Sequence, residues 1–127
     1  MEKIVASGMI EMSQRMAPFL QLFEIKVRKP FELADCTITA IPVNHVVPTV
    51  AFIIDDGEAA VAIVTDTGPT DEIWEAIKEN PRVQAVFLEC SFPNELVAVA
   101  KAAMHLTPKL FAAEIKKIPD HVSIHEL

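Results

Sequence analysis

Two short stretches carry the residues best suited to chemistry. In Val43-Asn44-His45-Val46-Val47-Pro48 a histidine follows a β-branched run, and in Thr65-Asp66-Thr67-Gly68 an aspartate precedes a glycine turn. Two more histidines follow, in Met104-His105-Leu106-Thr107-Pro108 and Ile124-His125-Glu126-Leu127, and Glu89 closes the apolar run Val83 to Leu88. Imidazole and carboxylate are donors that zinc, manganese and iron accept. Gathered at one point, they would hold a divalent cation that activates water for hydrolysis. Each residue also has a plainer reading. A histidine at a strand end is commonly a polar cap, and an aspartate before Thr-Gly can bond its own backbone in a turn. His105 suits the carboxyl end of a helix, where positive charge is favoured. Glu89 reads equally as a solvated strand end, and His121, after Pro119-Asp120, reads as loop.

The elements around these residues decide whether they meet. Thr37 to Val43 alternates and is β-branched, so it reads as a strand stopping at Asn44-His45. Thr49 to Asp55 is a second strand, and Asp56-Gly57 reverses the chain into a third, Ala60 to Thr65. That third run is almost continuously apolar, as strands covered on both faces are. Gly68-Pro69-Thr70 opens a helix with Thr70 as cap, Asp71 and Glu72 in its first turn, and Ile73, Trp74 and Ile77 as its apolar stripe. Asn80-Pro81 ends it. Val83 to Leu88 is a fourth strand. A helix runs from Pro93-Asn94 to about Met104, and Thr107-Pro108 starts another whose Phe111, Ile115 and Ile118 face inward. Val122 to Ile124 is the last strand, finishing at His125. Upstream, residues 3–16 read as a helix with Ile4, Met9, Met12 and Met16 along one loose stripe, and Leu20 to Val27, which alternates poorly, as a short strand. The result is an α/β layer with helices packed on a mostly continuous sheet. A hairpin and helical crossovers return the chain so that His45, Asp66, Glu89 and His125 close their strands at one edge, where sites in such sheets gather.

Composition narrows the function classes. The chain has 127 residues, which suits one domain. Hydrophobic residues make up 51%, and mean hydropathy is +0.32. No run approaches the roughly 18 apolar residues that cross a bilayer, and no secretory leader is visible, so a cytoplasmic location without membrane contact is expected. The net charge of −7 weighs against a broad nucleic-acid surface. Cys36 and Cys90 lack framework spacing and read as buried small apolar residues.

The motifs taken together carry a family likeness. Pro42-Val43-Asn44-His45-x-x-Pro48-Thr49-Val50-x-Phe52, Asp66-Thr67-Gly68-Pro69-Thr70, Leu88-Glu89-Cys90-Ser91-Phe92-Pro93-Asn94 and His105-Leu106-Thr107-Pro108 occur in that order. The series resembles the metallo-β-lactamase superfamily, in particular its cyclic-nucleotide phosphodiesterase branch, with ribonuclease Z more distant. The likeness covers roughly residues 30–127, in one partial domain that corresponds to the carboxyl-terminal half of an αββα sandwich: a mixed sheet with helices on one face. It implies that His45 completes one metal's ligands, Asp66 bridges two metals and His125 binds the second. It implies that His105 sits near the substrate phosphate, that Thr67 contacts substrate, and that Glu89 orients His105. The implied reaction is hydrolysis of a phosphodiester, such as a cyclic nucleotide, by a metal-activated hydroxide. Zinc is the expected metal, with manganese or iron as alternatives.

The chain also departs from the family pattern. The signature His-x-His-x-Asp-His is not found in it, and it has only four histidines, His45, His105, His121 and His125. Thr65 stands where a glycine usually precedes the aspartate. The expectation is that the chain begins after the signature-bearing half and is inactive alone, two metals being held only if that half is supplied. A sandwich buries each sheet against the other. Self-association or a complementary chain is therefore expected. Alternative readings are a non-catalytic half-domain acting in binding or assembly, and ribonuclease-Z-like RNA processing.

Overall fold

A computed structural model describes residues 21–127. The helix expected over residues 3–16 lies outside them. The described elements are β1 (Phe31–Leu33), β2 (Cys36–Val43), β3 (Thr49–Asp55), β4 (Ala60–Val64), α1 (Glu72–Glu79), β5 (Val83–Leu88), a 3-10 turn (Asn94–Leu96), α2 (Val97–Ala103), α3 (Pro108–Ile115) and β6 (Ser123–Glu126). The six strands form one sheet in sequence order. Pairings from β1 to β4 are antiparallel, and β4, β5 and β6 run parallel. It follows that β2, β4, β5 and β6 all point the same way, and their carboxyl ends share an edge.

Local chemistry explains most boundaries. The Thr107 hydroxyl caps α3 by accepting from the Leu110 N–H, and proline fills the first turn. Asp71 rather than Thr70 occupies the cap position of α1, and no side chain bonds there. The Thr70 N–H goes instead to the Glu114 carboxylate on α3. No strand occupies residues 21–30, contrary to the one expected over Leu20 to Val27. The first strand is the short β1, which turns into β2 through Ala34 and Asp35, both at positive φ (51° and 63°). Neither is glycine, so the usual turn signal is missing.

The period-2 alternation of the strands sorts their side chains onto two faces. Ile41, Ala51, Ile53, Ala62, Val64, Val86 and Leu88 share a buried cluster with Ile73, Trp74 and Ile77 of α1 and with Ile118. The helices pack on this face. The opposite face carries half-buried Val50, Phe52, Ile54, Val61 and Phe87 together with Ile63, which is 37% exposed. These side chains take no part in the core cluster. Among the described residues no single helix is long and apolar enough to cross a membrane.

Candidate metal centre

The loops at the carboxyl edge are bound to one another. The Gly68 N–H donates to the Asn44 carbonyl at 2.8 Å, and the Asn44 amide donates to the Pro69 carbonyl at 3.0 Å. Thus the loop after β2 and the loop after β4 are fixed as a pair. The second loop also presses on the end of α2. A Cβ at Gly68 would sit 3.3 Å from Met104 Cα, so only glycine allows this approach without displacing backbone. Met104 ends α2 in the left-handed conformation (φ 54°), which turns the chain into His105.

His45, Asp66 and His105 meet at this junction, with one donor atom from each lying within 4.8 Å of the others. The two imidazole rings pack edge to face with centroids 4.9 Å apart. His105 Nε2 is 4.0 Å from Asp66 Oδ1. His45 Nδ1 lies 3.2 Å from the Met104 carbonyl oxygen. A carbonyl only accepts, so Nδ1 carries the proton and Nε2 keeps its lone pair. Phe92 packs its ring against the His105 imidazole, centroids 5.6 Å apart.

Asp66 has φ of 48°, an uncommon conformation for a residue with a side chain, though aspartate tolerates it better than most. Its backbone N–H donates to Glu89 Oε2 at 2.8 Å, which ties the end of β4 to the end of β5. The Ser91 hydroxyl beside Glu89 holds the Glu89 carboxyl below the usual carboxylate range; burial opposes this, and the Asp66 amide adds to it. Glu89 does not bond His105 directly. The connection runs through Ser91, whose hydroxyl donates to Glu89 Oε1 and lies 3.0 Å from His105 Nδ1.

The donor set fits one divalent cation. Tetrahedral zinc holds nitrogen and oxygen ligands at ~2.0–2.1 Å, which places them roughly 3.4 Å apart. Closing from the observed spacing moves each donor by about 1 Å, within reach of side-chain torsions. Among the described residues three protein donors converge, one fewer than the four of a closed structural zinc site.

The remaining expected residues lie elsewhere. His125 is inside β6 rather than beyond it, paired with Phe87 in register. Its ring stacks on Phe87 at 5.0 Å, and its Nε2 is 3.2 Å from the Ser123 hydroxyl. It does not join His45, Asp66 and His105 in the described cluster. Thr67 is 2% exposed, and its hydroxyl donates to the Gly68 carbonyl, so it shapes the loop from within. His121 is exposed in the loop before β6. The sequence reading overlooked Ser91, although it stands two residues from Glu89 in one of the quoted motifs.

Comparison with known proteins bears on the family and the fold. The profile of a family described as beta-lactamase superfamily domain matches residues 1–125. No curated protein matches the chain. Among solved structures, the metallo-beta-lactamase fold protein YhfI from Bacillus subtilis is similar with TM-score 0.64 and 16% identity, covering 93% of this chain and 58% of its own. Unliganded yeast PDE1 gives TM-score 0.67 and 16% identity, covering 91% of this chain and 39% of its own. Human tRNase Z, short form (ELAC1), gives TM-score 0.58 and 16% identity over 76% and 42%. The chain therefore spans about half the length of these structures, or less. With a profile match over nearly its whole length and the sheet, helices and edge described above, the chain belongs to the beta-lactamase superfamily domain family and has a metallo-β-lactamase fold.

Proposed function

We propose that this chain provides part of the cation site of a phosphodiester hydrolase, and that its substrate is a small phosphodiester of the cyclic-nucleotide class. The observation that carries this reading is the convergence of His45, Asp66 and His105 on one point. A divalent cation there, zinc first among the candidates, would polarise a phosphate oxygen and lower the pKa of water. The chain's own residues do the rest. The Asp66 carboxylate and His45 Nε2 fix the cation's place, and the Met104 carbonyl keeps the His45 ring in the required tautomer. His105 Nε2 faces the same spot and completes the donor set. The net charge of −7 disfavours long polyanions over small esters, which separates this reading from RNA processing.

One observation favours a second reading. His-x-His-x-Asp-His does not occur in these 127 residues, and among the described residues one three-donor group is found. A non-catalytic half-domain that binds a cation or a partner is consistent with that. Assays of the zinc-supplemented chain on bis(para-nitrophenyl) phosphate and cyclic AMP separate the two. Zinc-dependent turnover that is lost in Asp66→Ala supports the hydrolase. Zinc binding with no turnover, alone or with a polypeptide carrying the signature, supports the second reading.

A further inference from the structure

Glu89, Ser91 and His105 form a chain of hydrogen bonds whose direction can be worked out. The Ser91 hydroxyl has one proton, and that proton is directed at Glu89 Oε1. In the 3.0 Å contact between Ser91 Oγ and His105 Nδ1 the proton must then come from the ring. His105 accordingly carries its proton on Nδ1 and its lone pair on Nε2, the atom 4.0 Å from Asp66 Oδ1. The other oxygen of the same carboxylate, Glu89 Oε2, receives the Asp66 N–H at 2.8 Å. One carboxylate thus braces the backbone of one donor residue and, through a serine, the ring of another.

We propose that Ser91 is a positioning residue: it relays Glu89 to His105, fixes the imidazole as the Nδ1–H tautomer and aims Nε2 at the point shared with Asp66 and His45. This deepens the proposed function and rests on it for the cation, while the tautomer stands on the hydrogen bonds alone. The serine backbone is held independently of its hydroxyl, because the N–H groups of Ser91 and Phe92 both donate to the Leu106 carbonyl at 3.2 and 3.3 Å. Ser91 is also exposed. Removing the hydroxyl therefore leaves the loop in place and frees the ring. Glu89 Oε2 is engaged by the Asp66 N–H, and Oε1 reaches the ring through the Ser91 hydroxyl.

The test uses the whole 127-residue chain, metal-free, labelled for long-range proton–nitrogen correlation spectra of the histidine rings. Wild type shows His105 as the Nδ1–H tautomer, Ser91→Ala shows a mixture of tautomers, and Ser91→Thr restores the wild-type pattern because it keeps the hydroxyl. Zinc titration of the same proteins gives an affinity about 10–100-fold lower for Ser91→Ala, the usual loss when a ligand's hydrogen-bonding partner is removed. An Nε2–H ring in wild type, or a Ser91→Ala protein with unchanged tautomer and unchanged zinc affinity, overturns the relay. If the tautomer responds as expected and wild type takes up no zinc, the relay holds and the cation reading alone fails.

Discussion

Replacing Glu114 with alanine should destabilise the domain by about 2–6 kcal/mol, because it leaves two buried donors without an acceptor. Glu114 lies on α3, 1% exposed. Its Oε2 accepts from the Trp74 indole at 2.7 Å and from the Thr70 N–H at 3.2 Å, while Oε1 receives Lys117 Nζ at 2.9 Å. Alanine would strand the indole N–H and the Thr70 N–H where water does not reach, at about 1–3 kcal/mol for each buried donor left unpaired. Glutamine behaves differently. Its carbonyl oxygen can serve both donors on the Oε2 side, but its amide then faces the Lys117 ammonium, donor against donor. A loss of roughly 1–3 kcal/mol is expected for Glu114→Gln. Against a total stability of about 5–15 kcal/mol, the difference between the two variants is easily measured. Urea unfolding followed by circular dichroism and by the fluorescence of Trp74, the single tryptophan, gives both values. A Glu114→Ala protein within about 1 kcal/mol of wild type, or one equal to Glu114→Gln, would refute the reasoning.

Other consequences are as specific. The Arg82 guanidinium and the Asn80 amide hold the Asp55 carboxyl down at about 2, from an ordinary 3.8. A depressed carboxyl adds stability above its unfolded value and loses it as pH falls through the folded one, so an acid titration should show stability falling between 3.8 and about 2, with Asp55→Asn flattening that limb. Gly68→Ala pushes a methyl against Met104 backbone at 3.3 Å, so it should cost ~1–3 kcal/mol in urea unfolding and weaken zinc binding by disturbing the carbonyl that holds His45. On the sheet face opposite the helices, Ile63→Lys should reduce the self-association expected from the sequence; light scattering that finds wild type already monomeric would remove the basis for that expectation.

Much of the fold was legible because its signals are local. Strands Thr49–Asp55 and Val83–Leu88 have the bounds expected from β-branched runs between turn residues. The buried stripe of α1, Ile73, Trp74 and Ile77, follows from helical periodicity. Strand direction alone also brought His45, Asp66 and Glu89 to one edge. β1 was not legible, since three residues and a turn of Ala34-Asp35 give no periodicity and no glycine. The place of His125 depends on one residue of strand length: β6 reaches Glu126, so alternation puts His125 on the face of Phe87 instead of at the end of the strand. The contact of Ser91 with His105 and that of the Met104 carbonyl with His45 join residues distant in sequence, and spacing does not encode either.

The central claim is a single cation site built by His45, Asp66 and His105, and zinc content after equilibrium dialysis measures it most directly. The account predicts about one zinc per wild-type chain, lost in His45→Ala, Asp66→Ala and His105→Ala and retained in His121→Ala and His125→Ala. Zinc near zero in wild type, or zinc lost in His125→Ala and retained in His105→Ala, would contradict it.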